Sequence, residues 1–471
     1  MNDLHPSVDT RDQQLIERDQ RIAVLERELE ALKQVVLALK EQLEQNSRNS
    51  GRPPSGDSPD QRAERRGKGG AGGKRGGQPG HLGSKRELLP VEQVSEFRNL
   101  FPPRCESCWE ALPPTPDPVA QRFQTIELPQ PKAYVTEWVR HCVSCPSCDY
   151  QTQASIALIP VSPFGPRLSS VIGLVTGVYH LSRRSAVKLL SDVLGIEISL
   201  GAVSAVEERV SEAVKPAVAE AWNKVDDASV KHTDGTTWYQ SNVLCALWTI
   251  ASSTATVFKI LANGQATTLA PLFGKKLGIL VSDRATALNF WTMEKRQICW
   301  AHLLRKAISF SERDGPVGAF GRELLDYIGI LFDYWHQFKA GQLSRQQLRE
   351  LMAVVRPRVE ALLERGRNAK LRQLSGSCAD MLAHRPALWT FVEQDGVEPT
   401  NNHAERELRA FVLWRKRSFG TQSERGNLFA ERLMTVAHTA RKQKRNVLEF
   451  LTACCTAARS GATAPSLFPA L

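Results

Sequence analysis

The chain has 471 residues, a net charge of +11 and 42% hydrophobic residues. This length suffices for about three domains of ~150 residues each. The positive charge favours a polyanionic partner, nucleic acid before a membrane surface. No apolar run reaches the ~18 residues of a membrane span, and the first residues lack the basic-then-apolar layout of a signal peptide. We therefore expect a cytoplasmic protein with no membrane partner.

Residues 13–45 carry apolar side chains in a heptad pattern, which predicts a coiled coil. The a and d positions hold Leu15, Ile22, Leu25, Leu29, Leu32, Val36, Leu39 and Leu43. One defect is Arg18, a charged residue at a d position near the start. An amphipathic helix packed on its own domain would show the same pattern. We favour the coiled coil, which would make the protein a homodimer or a higher homo-oligomer.

Residues 46–90 are rich in Gly, Pro, Ser and basic residues and contain too little apolar surface to fold. The composition predicts a basic, disordered linker. A second interpretation, compatible with the first, is an arm that reaches phosphates or a minor groove of DNA. The basic residues of this arm would be Arg65, Arg66, Lys74 and Arg75.

Residues 91–158 are predicted to form a zinc-binding domain. Five of the 10 cysteines fall in this stretch, which in a reducing compartment indicates metal binding more than disulfides. Two Cys-x-x-Cys pairs can supply four thiolates to a structural, tetrahedral Zn²⁺. The predicted ligands are Cys105, Cys108, Cys145 and Cys148.

Two points about this domain stay open. Cys142 is also spaced Cys-x-x-Cys with Cys145, so the second pair is ambiguous. A strand pair, 122–128 and 133–140, is predicted to fill the long gap between the two Cys-x-x-Cys pairs, which we call the knuckles. Scattered structural thiols without zinc are the alternative interpretation.

Residues 159–225 have the pattern of helices. A helix over Arg183–Leu194, a turn at Gly195 and a second helix capped by Ser199 fit a helix-turn-helix DNA-binding region. Any small helical bundle gives the same pattern.

From residue 226 the pattern changes to short apolar strands. The predicted strands are 229–232, 244–252, 256–261, 278–282 and 296–300, with a helix at 264–273. Residues 307–397 are predicted to be a helical insertion, and residues 398–460 the final helices. This order matches an α/β ribonuclease-H-like catalytic core, divided into residues 226–306 and 398–460, within a mostly helical multidomain chain.

Three acidic residues occupy positions suited to catalysis in such a core. Asp234 lies on the first strand, Asp283 ends the fourth, and Glu405 lies in the first turns of the final helical part. Carboxylates are hard oxygen ligands, and three of them can hold two Mg²⁺ or Mn²⁺ ions about 4 Å apart for in-line phosphoryl transfer on nucleic acid. The alternative is chance, because the chain has 50 acidic residues and an Asp at a strand end is often a turn residue.

Basic residues follow the third acid closely. A charge run is usually a solvated face, but its position beside Glu405 favours contact with DNA phosphates. The predicted DNA contacts are Arg406, Arg409, Arg415, Lys416 and Arg417.

The Cys299-Trp-Ala-His302 run has the spacing of a pair of metal ligands. A metal site needs two more ligands, and none is near in sequence. We expect His302 and Arg305, at the end of the fifth strand, to orient a substrate phosphate or a metal-bound water instead. Packing alone explains Cys299 and Trp300.

These stretches together resemble the DDE transposases of the bacterial insertion sequence family sixty-six (IS66-type). The matching runs extend from end to end of the chain: the coiled coil, Asn-Ser-Arg-Asn-Ser-Gly-Arg-Pro-Pro-Ser, Gly-Gly-Gln-Pro-Gly-His, the paired knuckles, His-Thr-Asp234, Ser-Asp283-Arg-Ala, Cys-Trp-Ala-His-Leu-Leu-Arg-Lys and Asn-Asn-His-Ala-Glu405-Arg-Glu-Leu-Arg. The last two, with Lys416-Arg-Ser-Phe-Gly after them, are specific, whereas the coiled coil alone is weak.

The resemblance implies a ribonuclease-H-like core in which Asp234, Asp283 and Glu405 form the DDE triad. The DNA partners would be the terminal inverted repeats of its own element and a target DNA. The protein would act in the bacterial cytoplasm, associated with the nucleoid, and accessory proteins of the element would be possible further partners. One departure is visible, because the family commonly has Asp-Glu-Thr where this chain has Asp234-Gly235-Thr236. This change removes one possible extra carboxylate.

Two other functions stay open at this point. A non-catalytic DNA-binding regulator would use the knuckles, the helix-turn-helix and the basic arm without cutting DNA. A structure-specific nuclease with the same core would cleave DNA without joining it.

Overall fold

The computed structural model describes residues 9–50, 57–58, 60–61, 86–156, 160, 162–275, 277–371 and 374–468. Its strands are β1 (Cys142–Ser144), β2 (Gln151–Gln153), β3 (Val230–Gln240), β4 (Val243–Ala251), β5 (Thr256–Leu261), β6 (Ile279–Ser282) and β7 (Arg296–Ile298). Its longer helices are α1 (Asp9–Glu44), α2 (Pro166–Gly173), α3 (Arg183–Leu194), α4 (Leu200–Ala213), α5 (Lys215–Asp226), α6 (Trp300–Ser311), α7 (Gly315–Lys339), α8 (Arg345–Asn368), α9 (Leu374–Ala383), α10 (Asn402–Ser418), α11 (Glu424–Lys442) and α12 (Val447–Ser460). The protein is therefore mostly helical with a mixed five-stranded sheet, which is consistent with a multidomain, α-rich protein.

The main sheet has five strands in the order β5-β4-β3-β6-β7. β3, β4 and β5 are antiparallel neighbours, whereas β6 and β7 run parallel to β3. A two-residue turn joins β3 to β4, and both of its residues, Ser241 and Asn242, have positive φ, as tight hairpin turns require. All five predicted strands are present. β3 continues past its predicted end at residue 232, because its second half pairs with β4.

Helices cover both faces of this sheet. Successive side chains of a strand point to opposite faces, and in this sheet apolar side chains point both ways. Leu280 and Val281 of β6 show the division, since they belong to different apolar clusters. The Leu280 cluster contains residues of α2, α3, α4, α5, α11 and α12. The Val281 cluster contains residues of α6, α7, α8 and α9, the helices between β7 and α10. A third, smaller cluster packs Trp238 of β3 against Phe411 of α10.

The predicted boundaries of α3 and α4 are confirmed. The Ser182 hydroxyl caps α3, Gly195 ends it with φ of 62°, and the Ser199 hydroxyl accepts a hydrogen bond from Ala202 N at the start of α4. Arg183 forms an ion pair with the buried Glu207 at 2.7 Å, which joins the two helices. Arg183 therefore holds the two helices together.

The apolar seam of α1 has no partner within the described part of the chain. Its described a and d side chains are 48–80% exposed: Leu15, Ile22, Leu25, Leu29, Leu32, Val36, Leu39 and Leu43. The helix itself spans the region that the heptads predict. Among the described helices, none has the long apolar stretch that crossing a bilayer requires.

Residues 86–156 form two similar knuckles without an apolar core. In each knuckle the backbone N–H of the first cysteine, Cys105 or Cys145, bonds to the carbonyl five residues later. The strand pair predicted at 122–128 and 133–140 is wrong, because these residues adopt no regular structure and the hairpin is instead β1 with β2. The apolar side chains of the predicted strands are exposed, so nothing holds those segments in a sheet.

The described residues of the predicted linker include a folded piece. Ser47 donates hydrogen bonds from its N–H and its hydroxyl to the Asp57 carboxylate at 2.6 and 2.5 Å, and both residues are buried. Asn46 and Asn49 also bond to each other's backbone. We predicted disorder because the segment contains few apolar residues. This turn is instead held by hydrogen bonds between side chains and the backbone, which apolar content does not reveal. The arm residues Arg65, Arg66, Lys74 and Arg75 lie outside the described residues.

Replacing Gly321 of α7 with Ala will destabilise the protein. A Cβ there would lie 2.2 Å from the Ser311 backbone nitrogen, so α7 would have to move away from α6, at a cost of about 1–3 kcal/mol. At Gly329 of the same helix a Cβ would meet no atom within 4 Å, and Gly329→Ala will stabilise by up to about 1 kcal/mol. Urea unfolding measures both variants, and shifts in the same direction would contradict the packing.

Candidate active site

Two of the three predicted acids come from neighbouring strands. The parallel pairing of β3 with β6 places His232 opposite Val281. Continuing this register by two residues brings Asp234 beside Asp283, at a strand spacing of about 4.8 Å. Asp283 directly follows β6, and its Oδ1 accepts a hydrogen bond from Ala285 N at 2.9 Å. The two acids, 49 residues apart in sequence, are thus neighbours at one edge of the sheet.

The glycine that departs from the family pattern has a local packing reason. Gly235 lies opposite Trp248 across β3 and β4. A Cβ on Gly235 would approach the indole ring to 2.9 Å, and the indole is buried. Gly235 therefore leaves room for Trp248, and a glutamate at this position would require the indole to move.

The third acid, Glu405, is held in place through Asn401. Asn401 is fully buried and immediately precedes α10. Its Nδ2 donates to the Thr233 carbonyl at 2.8 Å, and its backbone N–H donates to Cys299 Sγ at 3.1 Å. Its own carbonyl accepts from Glu405 N at 3.3 Å. One residue therefore connects β3 beside Asp234, the start of α6 and the first turn of α10.

The three carboxylates are electrostatically coupled. Burial, followed by the negative charges of Asp283 and Glu405, raises the pKa of Asp234 from 3.8 to about 8. A hydrogen bond from Gly235 N and the positive charge of Arg305 oppose this shift. At neutral pH the protein without bound cations therefore favours a protonated Asp234.

A buried cation fixes the main chain at the second acid. The Arg296 guanidinium is fully buried and donates to the Ser282 hydroxyl and to the Asp283 carbonyl, both at 3.0 Å. Burial lowers the pKa of Arg296, and the Asp283 charge opposes this effect. Sequence reasoning did not single out Arg296, because its partners lie 13 and 14 residues away.

His302 and Arg305, on the first turns of α6, both face Glu405. Glu405 Oε1 lies 3.8 Å from His302 Nδ1 and 3.5 Å from Arg305 Nη2, and these distances are too long for strong hydrogen bonds. Glu405 Oε1, His302 Nδ1 and Arg305 Nε are buried without hydrogen-bond partners. Buried polar atoms without partners are rare and are typical of sites that bind water, an ion or a substrate.

Cys299, for which the sequence suggested packing alone, lies beside this site. Among the described residues, Cys299, His302 and Glu405 bring their ligand atoms within 4.8 Å of one another. Burial raises the pKa of Cys299 to about 11, which favours the neutral thiol over the thiolate that metals bind. Because Cys299 Sγ also accepts the Asn401 N–H, we read Cys299 as a support for the site.

The predicted DNA contacts on α10 divide into two groups. Arg406, Arg409, Lys416 and Arg417 are exposed. Arg415 instead donates to the Thr236 hydroxyl at 3.1 Å and contacts Thr237. Arg415 therefore connects α10 to β3.

The structure brings the cysteines together within each knuckle. Hydrogen bonds from backbone N–H groups lower the pKa of both first cysteines. The largest effect on Cys105 comes from the N–H of Cys108, and the largest effect on Cys145 comes from the N–H of Ser147. A hydrogen bond with the Cys148 side chain also lowers the pKa of Cys145, and Cys142 is not among the causes of this shift. Within residues 86–156 the two pairs do not form one group of ligands at metal-binding distances, so the zinc site stays a prediction.

The family of the chain follows from a comparison of its sequence with family models. Residues 162–428, more than half of the chain, match the model described as Transposase IS66 family, and this stretch includes all three acids. The class of protein is thus a transposase. The chain belongs to the IS66 transposase family, which implies binding and cleavage of DNA with divalent metal ions.

Two further comparisons complete this result. Residues 5–87 match a family of unknown function, which covers α1 and the folded turn after it. A search of curated proteins found no match to this sequence.

Replacing Asp234 with Asn will change how the stability of the metal-free protein depends on pH. Because its folded-state pKa is raised from 3.8 to about 8, Asp234 stabilises the wild type fully below pH 3.8, and this contribution is lost as pH rises through about 8. The expected loss is about 1 kcal/mol per pH unit between about pH 5 and 8. The amide in the Asp234→Asn variant does not titrate, so the variant will become more stable than the wild type as pH rises.

Chemical unfolding at several pH values without divalent cations measures this difference. Asp326→Asn, on the exposed face of α7, is the control and should follow the wild type. Parallel pH profiles for wild type and Asp234→Asn would contradict the raised pKa of Asp234.

Proposed function

We propose that this protein is a DNA transposase that binds the ends of its element and cleaves and joins DNA at one site formed by Asp234, Asp283 and Glu405. The observation that carries the proposal is geometric: strand register sets Asp234 beside Asp283, and Asn401 links β3 to the turn that bears Glu405. Burial, followed by the charges of the other two acids, raises the pKa of Asp234, as expected for such a cluster. A sheet of three antiparallel strands extended by two parallel ones supports a ribonuclease-H-like core. Membership of the IS66 transposase family supports the same chemistry.

The residues present fit a pair of Mg²⁺ or Mn²⁺ ions. Their carboxylate oxygens are hard ligands, the repulsion among them is what a cation would relieve, and Glu405 Oε1 is buried without a hydrogen-bond partner. When bound, such ions supply activation of the attacking oxygen and stabilisation of the leaving oxygen. Asp234 must lose its proton for this, which couples cation binding to pH.

The chain's own residues would bind and orient the DNA. His302 and Arg305 have unpartnered nitrogens beside Glu405, where they can donate to the non-bridging oxygens of the scissile phosphate. The exposed Arg406, Arg409 and Arg417 would follow the adjoining backbone as phosphate contacts.

The proposed reaction has two similar steps. In the first, a water oxygen attacks the phosphorus, the bond to the 3′-oxygen breaks, and the water loses a proton while the 3′-oxygen gains one. In the second, that 3′-hydroxyl attacks a phosphorus of the target strand and loses its proton, and the displaced 3′-oxygen of the target gains one. Because both steps need the same in-line geometry, one site can serve both.

The experiment is incubation of the full-length protein with Mg²⁺ and linear DNA that carries the element's ends beside a target plasmid. The proposal predicts strand breaks at the ends and covalent joining of the ends to the plasmid. Cleavage without joining, independent of the end sequence, would favour the nuclease alternative. Specific binding without any break would favour the DNA-binding regulator.

We also propose that α1 pairs with α1 of a second copy as a coiled coil. Its support is the exposed seam, because an isolated helix with a continuous apolar stripe needs a partner. Light scattering of the full chain should give at least a dimer, and Leu29→Asp with Leu32→Asp should give a monomer. Val24→Asp, at an exposed valine outside the seam, is the matched control, and equal masses for all three proteins would contradict the coiled coil.

The knuckles are proposed to hold one structural Zn²⁺ through Cys105, Cys108, Cys145 and Cys148. The N–H groups that lower the pKa of Cys105 and Cys145 favour the thiolates that zinc binds. Metal analysis of the purified chain should find zinc that is lost in Cys148→Ser and kept in Cys142→Ser. The opposite outcome would assign the second pair to Cys142.

A further inference from the structure

A cleft of about 760 Å³ adjoins the proposed active site, and it is lined mainly by α6 and by the N-terminal segment, with Arg284, Gly376 and Ser377 completing it. One wall is the outer face of α6 and its end, where His302, Arg305, Lys306, Ser309 and Arg313 recur at helical spacing. The opposite wall is the end of α1 and the turn at residues 46–50. The cleft therefore runs from Glu405, which His302 and Arg305 face, to the N-terminal part of the chain.

The charges of this cleft suit an anionic ligand. Four cationic side chains line it, namely Arg284, Arg305, Lys306 and Arg313, against the two carboxylates of Glu44 and Glu312. Arg284 is paired with Asp380, and Arg305 lies 3.5 Å from Glu405. Lys306 and Arg313 therefore supply most of the positive charge along the outer part of the cleft. The cationic groups of Lys306 and Arg313 lie 5.1 and 5.7 Å from the centre of the Phe310 ring. Contact with the ring restricts both side chains, so their charges are already positioned along the cleft.

The wall formed by residues 46–50 has a defined conformation. Ser47 is bound to the buried Asp57, and Ser50 donates its hydroxyl to the Asn46 carbonyl at 2.6 Å. Asn49 Nδ2 donates to Glu312 Oε2 at 2.8 Å, which attaches the turn to the end of α6. This contact also reduces the repulsion that Glu312 would exert on an anion in the cleft.

We propose that this cleft binds the sugar-phosphate backbone of the DNA strand next to the scissile phosphate, and that the 46–50 turn is its outer wall. Arginine, lysine, amide and hydroxyl groups are the donors that proteins use for DNA phosphates. The volume lies within the roughly 300–1,000 Å³ of ligand sites. The inference rests on the proposed function, and it makes the N-terminal segment part of the DNA-binding site.

The test is the salt dependence of binding between the full-length protein and a fluorescent duplex from the element's end. Each lost phosphate contact lowers the slope of log K against log salt by roughly 0.9. The double variant Lys306→Gln with Arg313→Gln loses two such contacts, so the steepness of its slope should fall by roughly 1.8. Arg358→Gln, at an exposed residue of α8, should have the wild-type slope. A double variant with the wild-type slope would overturn the proposed cleft.

A second variant tests the wall. Asn49→Asp would place a carboxylate against Glu312 and face the DNA with a negative charge, so it should weaken binding several-fold at low salt, measured well below the melting temperature of the variant. Unchanged affinity would overturn the role of the 46–50 turn. If these variants behave as expected but the wild type never breaks DNA, the proposed function is wrong and the DNA-binding cleft stands. If the wild type cleaves DNA but the double variant has the wild-type slope, the cleft is wrong and the proposed function stands.

Discussion

Replacing Asp283 with Ala will abolish metal-dependent DNA cleavage and leave binding of the element's ends nearly unchanged. The side chain follows β6 at the sheet edge, where register places it beside Asp234. Loss of one carboxylate removes both a ligand of the ions and part of the negative charge that attracts them, so we expect cleavage to fall at least ~10³-fold. Gel analysis of end-labelled DNA with Mg²⁺ measures the rate, and fluorescence anisotropy measures binding.

The specificity of this effect needs a matched aspartate. Asp326→Ala removes the same group from the exposed face of α7 and should cleave at the wild-type rate. A rate for Asp283→Ala within about tenfold of the wild type, well short of the loss expected for an essential group, would exclude Asp283 from the catalytic set.

Replacing Asn401 with Ala will reduce both stability and cleavage. The side chain is fully buried, its Nδ2 donates to Thr233 O, and its Oδ1 lies 3.3 Å from His232 Nδ1. Leaving these buried groups without partners should lower the unfolding free energy by about 2–4 kcal/mol. Because Asn401 sets Glu405 relative to Asp234, cleavage by the folded fraction should fall about 10- to 100-fold.

The adjacent asparagine provides the control for this change. Asn402 is exposed on the first turn of α10, so Asn402→Ala should keep the wild-type stability and rate. Rates are to be measured well below the melting temperature of the variant, so that loss of fold does not count as loss of catalysis. Equal behaviour of the two alanine variants would show that Asn401 does not position Glu405.

The sequence predicted the sheet because each strand carries its own apolar pattern. Asp283 could be placed at a strand tip from the apolar run before it, and Glu405 from its motif. The predicted helix cap at Ser199 is local as well, since its hydroxyl accepts a hydrogen bond from the N–H three residues on. These features depend on neighbours in the chain, which is the information that a single sequence provides.

The parts that could not be predicted depend on contacts between distant residues. Asn401 bonds across 168 residues to Thr233, and Asn49 bonds across 263 residues to Glu312. The role of Gly235 requires knowing that Trp248 lies opposite it. The folded 46–50 turn was missed because polar hydrogen bonds hold it, and composition measures only apolar content.

The most direct test of the central claim, that Asp234, Asp283 and Glu405 form one divalent-cation site, is a Mn²⁺ titration of the full chain followed by electron paramagnetic resonance. We predict up to about two bound ions per chain, with binding weakened at least ~10-fold in each of Asp234→Asn, Asp283→Asn and Glu405→Gln, because each removes a carboxylate ligand. Asp326→Asn should bind as the wild type does. Wild-type Mn²⁺ affinity in any of the three site variants would contradict a shared site.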